Sequence, residues 1–324
     1  MARNTNHASP KRSLAYKARP FILTSMHANH TPVFWTEVCT ALAQAQDLEC
    51  TVQRVQPLGG GCINEAAVLH TQQGQRFFVK LNQAARLGMF EAEALGLEAL
   101  AAAQAIRVPK PLCWGIASPQ RAFLALEYIE LSGRLDAVRF AEQLAQLHRH
   151  SAAAFGWVRD NTLGSTPQPN PWQADWIAFF RTQRLGHQWA LAQRRGADTA
   201  MLAEVEALQA RLEAFFVGYA PEPSLLHGDL WSGNWGADAH HQPVIYDPAV
   251  YFGDREADLA MMELFGSPGS AFFRAYDAAW PIDPGYALRK DLYNLYHLLN
   301  HFNLFGGGYA QQTLLQARRL LASL

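Results

Sequence analysis

Little in this chain of 324 residues ties it to a membrane, a nucleic acid or a disulfide scaffold. No apolar run approaches the ~20 residues of a bilayer span. Basic and acidic residues nearly cancel, 27 against 28, so neither nucleic acid nor an anionic membrane is an expected partner. The four cysteines, Cys39, Cys50, Cys62 and Cys113, form no C-x-x-C pair, which argues against a zinc site. Thiols scattered in this way fit a reducing cytoplasm better than an oxidised scaffold. Internal repeats, low-complexity tracts, a Walker G-K-[ST] and an A-P-E segment are all missing.

What is present suits a globular protein with a large core: hydrophobic residues are 49% of the chain and charged residues 17%. The first 25 residues stand apart, with Arg3, Lys11, Arg12, Lys17 and Arg19 and no acid. That composition also occurs in transit peptides. Residues 1–33 are read as a disordered tail, or as a start assigned too early with Met26 the true beginning.

The chemistry concentrates in His227-Gly228-Asp229-Leu230-Trp231-Ser232-Gly233-Asn234, followed by the apolar run Val244-Ile245-Tyr246 and then Asp247. Phosphoryl transfer from ATP needs one carboxylate to receive the proton of the attacking hydroxyl. It also needs an amide oxygen and a second carboxylate to hold Mg²⁺ on the phosphates. The spacing is that of the kinase catalytic loop H-x-D-x-x-x-x-N and its metal aspartate. Asp229 is thus the candidate base, and Asn234 and Asp247 the candidate metal ligands. His227 braces the loop in this reading. Pro248-Ala249 stands where a protein kinase usually has Phe-Gly, which disfavours a flipping activation segment.

Upstream, patterning predicts a helix over 36–45 capped by Thr36, then strands over 51–58, 66–70 and 76–81. Gly59, Gly60 and Gly61 lie between the first two strands, where backbone N–H groups can approach phosphate without Cβ interference. Lys80 sits near the end of the third strand, placed to neutralise phosphates. A helix over 90–103 carries Glu91 and Glu93; Glu93 shares a stripe with Leu97 and Leu100 and is the better partner for Lys80. Pro109 and Pro111 break the chain, 122–128 reads as a buried strand, and the lobe boundary is set near Ile129. Beyond it, helices are expected over 138–148, 201–216, 288–305 and 311–324, with 161–171 a loop. The architecture is α+β, a small β-rich N-lobe over 34–128 and a larger, mostly α-helical C-lobe over 129–324, with ATP in the cleft.

These residues, with Ile245-Tyr246-Asp247-Pro248-Ala249, Gly253 to Ala260, Trp176 to Phe180 and Asn300-His301-Phe302-Asn303, resemble the fructosamine kinase family from about residue 34 onward. The Trp231-Ser232-Gly233 insert is the most family-specific piece. The resemblance implies a two-lobed protein-kinase-like fold, ATP and Mg²⁺ as cofactors, and phosphorylation of the sugar 3-hydroxyl of a fructosamine or ribulosamine. The acceptor would be a small sugar-amine or a glycated protein lysine, and the outcome deglycation. It also implies that Glu127, Tyr128 and Ile129 form the hinge against adenine, and that Trp172, Trp176 and Phe180 come from the acceptor side. Trp231 and Trp176 are the substrate candidates, although Phe179 and Phe180 suit a core. Related kinases carry a cysteine at Cys62 that can act as a redox-sensitive position, so monomer and redox-linked homodimer are both open.

Two further readings stay open. One is another small-molecule kinase, for aminoglycosides, choline or homoserine; a cationic acceptor would need an acidic pocket, with Asp160, Asp175 and Glu130 as its candidates. The other is a non-catalytic nucleotide-binding protein. Asp254, Arg255, Glu256 and Asp258 are either an Arg–carboxylate network pinning the segment after the metal site or a solvated charge cluster. His240 and His241 are read as facing solvent.

Overall fold

The computed structural model describes residues 32–59 and 63–324. The expectations for Gly60, Gly61, Cys62 and Met26 lie outside the described residues. A tail reaching residue 33 is two residues too long, because the first helix, α1 (Pro32–Gln46), already includes Pro32 and Val33. Proline is pre-organised for a first helical turn and loses nothing by lacking an N–H there. Thr36 therefore lies inside the helix rather than capping it, and its hydroxyl donates back to the Pro32 carbonyl at 3.0 Å.

Five strands follow: β1 (Val52–Leu58), β2 (Glu65–Thr71), β3 (Arg76–Gln83), β4 (Pro111–Ser118) and β5 (Arg121–Glu127). They form one antiparallel sheet in the order β1-β2-β3-β5-β4. β4 is absent from the sequence expectation. It is an edge strand whose proline is its first residue, where no ladder N–H is required, and its Trp114 and Ile116 remain exposed. Residues alternate across the sheet as a strand demands. Phe77, Val79 and Leu81 of β3 pack with Ala67, Leu69, Phe123 and Ala125 against Phe34, Val38 and Leu42 of α1. Phe78, Leu124 and Leu126 face the opposite way, into the main core. Lys80, in register with Leu124, shares that second face. Helix α2 (Leu87–Ala102) covers it with Phe90, Leu97 and Leu100 fully buried.

The remainder is mostly helical. Helix α3 (Ala137–His148) is capped by Asp136, which accepts from the N–H groups of Val138 and Arg139. The stretch expected as a loop contains a small hairpin, β6 (Asn161–Leu163) with β7 (Thr166–Gln168). Asp175 caps α4 (Trp176–Phe179), which runs through a π-helical turn, Phe180–Leu185, into α5 (Gly186–Arg194). The helix expected over 201–216 is two pieces, α6 (Thr199–Gln209) and a 3-10 turn, Leu212–Phe216; the tighter turn buries both Phe215 and Phe216. Four short strands frame the catalytic segment: β8 (Ser224–Leu226), β9 (Trp235–Ala237), β10 (Pro243–Ile245) and β11 (Tyr251–Gly253), paired β8 with β11 and β9 with β10. Helices α7 (Glu256–Leu264), α8 (Ser270–Ala279), α9 (Tyr286–Phe305) and α10 (Tyr309–Ala322) complete the chain. A continuous core joins α2 and one face of the sheet to these helices. Among the described residues no helix is long and apolar enough to cross a membrane.

Candidate active site

The candidate catalytic segment is held by a glycine turn, by the Asp258 carboxylate and by the His227 ring. Gly228 has φ +82°, and a Cβ there would lie 2.1 Å from the Ala249 carbonyl oxygen, so no other residue fits the turn. The N–H groups of His227 and Gly228 both donate to the buried Asp258 carboxylate, at 2.7 and 2.9 Å. Burial works against that charge, but bonds from His148 and from the Gly228 N–H hold the Asp258 carboxyl below its ordinary range. His227 is fully buried. It donates from Nε2 to the Tyr246 carbonyl at 2.9 Å and accepts the Asp229 N–H on Nδ1 at 3.3 Å. Burial keeps the ring neutral, in keeping with a brace rather than a proton carrier.

Asp229, Asn234, Asp247, Lys80 and Glu93 converge. The Asn234 side-chain nitrogen donates to the Asp229 carbonyl at 2.8 Å and to its carboxylate at 3.2 Å. With the nitrogen so engaged, the amide oxygen is left as a hard donor. Asp247 sits at φ +59°, a left-handed conformation uncommon for a non-glycine residue and a local store of strain. Its carboxylate is 2.7 Å from the Lys80 ammonium, which also meets Glu93 at 2.6 Å. Burial alone would push Lys80 toward neutrality, but the two carboxylates overcome it and keep the ammonium charged. The Asp229 carboxyl is pushed up to about 7, first by burial and then by the Asp247 carboxylate.

Next to these groups lies a cavity of about 340 Å³, lined by Leu58, Phe78, Pro109, Leu126, Glu127, Tyr128, Ile129, Leu131, Val244, Tyr246 and Asp247. Its mostly apolar lining and its size suit a small-molecule ligand. The backbone N–H groups of Tyr128 and Ile129 donate to no backbone carbonyl among the described residues. The Glu127 side chain pairs with Arg107 at 2.8 Å, and Arg107 also pairs with Asp238. Gly59 follows Leu58 at the end of β1, and a Cβ added to it would meet nothing within 4 Å.

On the acceptor side the two tryptophan expectations part company. Trp231 is 39% exposed, and its ring lies over Gly233, where a Cβ would come within 2.3 Å of it. Trp176 is core: it is 2% exposed, its indole N–H donates to Tyr293 at 3.0 Å, and Phe155, Phe179 and Phe180 surround it. It cannot touch a substrate from there. Phe179 and Phe180 are buried as expected, while Trp172 stays 46% exposed against Phe252. The three acids considered for a cationic acceptor are engaged elsewhere: Asp160 holds the Asn170 N–H, Asp175 caps α4, and Glu130 pairs with Arg76. His240 and His241 are exposed.

The charge run after the metal segment is buried, which rules out a solvated cluster, yet its arginine is not the carboxylate partner. Arg255 stacks over Trp280 and donates to the carbonyls of Trp280 and Pro281. Glu256 is paired instead by Arg289 of α9, at 2.7 and 3.0 Å, and Asp254 accepts from Tyr219 and Tyr293. Sequence reasoning missed Asp258 as the anchor of the catalytic loop, although it lies within the Gly253 to Ala260 motif. It also missed Arg107, which no local pattern marks.

Comparisons with known proteins give the family. The family model for fructosamine kinase matches residues 34–323. A Synechocystis protein named as a probable ketoamine kinase is 47% identical over 286 residues, 87% of this chain and 95% of its own length. The chloroplastic protein-ribulosamine 3-kinase of Arabidopsis thaliana is 43% identical, over 80% of this chain and 79% of its own. A Haemophilus somnus protein, described from its crystal structure as a putative fructosamine-3-kinase, superposes with a TM-score of 0.81 at 30% identity; the match covers 89% of this chain and 97% of that one. With the two-lobed kinase-like fold and the converging Lys80, Asp229, Asn234 and Asp247, they establish that the chain belongs to the fructosamine kinase family.

Proposed function

We propose that the protein is a cytoplasmic ATP- and Mg²⁺-dependent ketosamine 3-kinase, acting on fructosamines or ribulosamines, free or attached to protein lysines. The observation that carries this reading is the cluster in which Asp229 is tied to Asn234 while Lys80 bridges Glu93 and Asp247. Relatives named for ketoamine and ribulosamine phosphorylation support the acceptor class.

The residues present fit a magnesium ion. The free amide oxygen of Asn234 and the Asp247 carboxylate are hard oxygen donors, and Mg²⁺ is commonly held by one or two such groups together with nucleotide phosphates. When bound, the ion supplies charge neutralisation at the transferring phosphoryl group. Lys80 holds the nucleotide phosphates, kept charged and oriented by Glu93. Tyr128 and Ile129 offer backbone N–H groups to the adenine edge, and Leu58, Leu131 and Tyr246 enclose the base. Asp229 orients the acceptor hydroxyl and takes its proton late in transfer, an effect typically worth ~10²–10⁴ in rate. Trp231, exposed beside it, stacks on the face of the sugar. With phosphate on C3, loss of a proton from C1 gives the 1,2-enaminol, which expels inorganic phosphate from C3, and water then hydrolyses the resulting C1 imine and frees the amine.

The test is turnover with Mg-ATP against a fructosamine, a ribulosamine, choline, homoserine and an aminoglycoside, with the position of the phosphate read by NMR. A ketosamine 3-phosphate is the expected product. Turnover confined to the other acceptors would discard the deglycation role while keeping the kinase mechanism.

A further inference from the structure

Cysteines that are scattered in the sequence meet in space. The sulfurs of Cys39, in the middle of α1, and Cys50, just ahead of β1, are 2.6 Å apart. Cys113 of β4 packs with the same cluster, close enough for Cys50 to influence its thiol. Cys39 is 2% exposed, whereas Cys50 is half-buried and thus the thiol an oxidant can reach.

We propose that Cys39 and Cys50 are an oxidative modification site that closes to an intramolecular disulfide when the protein meets a hydroperoxide. The Cys50 thiolate attacks the peroxide O–O bond, giving a sulfenic acid and one molecule of water or alcohol. The Cys39 sulfur then displaces the sulfenic oxygen, which leaves as water once protonated. The two sulfurs together lose two electrons, and the peroxide bond gains them. Burial pushes both thiols above the ordinary thiol range, so the first step is slow at neutral pH and quickens as pH rises.

The position of the pair fixes what the bond does. α1 covers the sheet face that carries Val79 and Leu81, opposite the face of Lys80 and the nucleotide cavity. A second tie already joins this end of α1 to the sheet, where Gln46 donates to the Leu112 carbonyl at 3.0 Å. A Cys39–Cys50 bond, spanning 11 residues, fastens α1 to the start of β1 without entering the cleft. Its effect falls on the stability of the N-terminal lobe and leaves turnover intact. This distinguishes it from oxidation at Cys62, beside the glycine run.

The experiment uses the full chain carrying Cys62→Ala, treated with hydrogen peroxide, alkylated and mapped by mass spectrometry without reduction. The expected result is a peptide joining Cys39 to Cys50, a monomer on a non-reducing gel, and a Tm about 5 °C higher that dithiothreitol reverses. Cys50→Ala added to this background abolishes the reductant-dependent shift and leaves Mg-ATP turnover on a ketosamine unchanged. Linkage to Cys113 instead, or recovery of both thiols in alkylated form after peroxide, overturns the proposal. So does a mapped disulfide that lowers turnover in proportion to its formation. Mapping and Tm do not depend on the acceptor, so they decide the matter even if the ketosamine assignment fails.

Discussion

The side chain of Asn234 is joined twice to Asp229, at the backbone carbonyl and at the carboxylate. One amide thereby fixes the direction of the proposed base and leaves its own oxygen free for the proposed metal. Asp229→Asn is expected to abolish turnover while Mg-ATP binding, followed by calorimetry, survives. Asn234→Ala should weaken both, because it loosens the base and removes a ligand. Turnover near the parental rate in Asp229→Asn would eliminate the proposed base.

The acid limb of the rate profile should lie well above the ordinary carboxylate range. As the proposed base Asp229 would accept a proton only when ionised, and burial with the Asp247 charge pushes its carboxyl up to about 7. Activity therefore falls as pH drops through that value. Mg²⁺ held by Asp247, as proposed, would offset the second cause, so saturating metal should move the limb to lower pH. A profile of kcat/KM between pH 5 and 9 at two magnesium concentrations tests this. A limb near pH 4 that ignores magnesium would contradict it.

Lys80 depends on Glu93 for its orientation, at 2.6 Å in a buried setting. Lys80→Met should lower kcat/KM for ATP by about 10²-fold, with KM for the acceptor little changed. Glu93→Gln should give a smaller loss in the same parameter. Equal effects on both substrates would argue for a general folding defect instead.

Gly228→Ala places a methyl group against the Ala249 carbonyl at a φ that only glycine adopts freely. A loss of about 3–4 kcal/mol in folding stability is expected, measured by urea unfolding. Gly74→Ala, at φ +83° with nothing near the added Cβ, is the control for conformational strain alone.

His297 is 4% exposed, and its pKa is lowered to about 3, chiefly by burial and then by His301. Between pH 3 and its unfolded value near 6.5 the unfolded chain binds the proton and the folded chain does not. Stability is therefore lost as pH falls through this window, by up to about 1.4 kcal/mol per pH unit for this group. His297→Leu should flatten the dependence of Tm on pH between 6.5 and 4. An unchanged slope would mean that the ring is solvated when charged.

The parts of the site legible in the sequence were those where chemistry dictates residue type at fixed spacing. Asp229, Asn234 and Asp247 lie within 18 positions of one another, and Lys80 and Glu93 within 13. Trp176 misled because a tryptophan at the start of a helix has the same local pattern whether it lines a pocket or fills a core; its bond to Tyr293 comes from 117 positions away. Arg289 escaped for the same reason, since its partner Glu256 lies 33 positions upstream and both charges are buried. β4 was hidden by its proline and by an exposed edge that blurs alternation. Proximity of Cys39 to Cys50 required the turn of α1 back to β1, which spacing alone does not report.

The segment after Asp247 is bolted from both sides. Asn161 and Gln168 donate to the carbonyls of Val250 and Ala249, Tyr251 to Gly253 pairs with β8, and Pro248 stiffens the start. In regulated kinases the corresponding stretch is where an inactive posture is stored. Here the stretch is tied along its length while Asp247 already meets Lys80 and Asn234 already meets Asp229, so the proposed site is assembled without release of this segment. Under the proposed function the enzyme's output would follow the supply of ketosamine and the number of copies made.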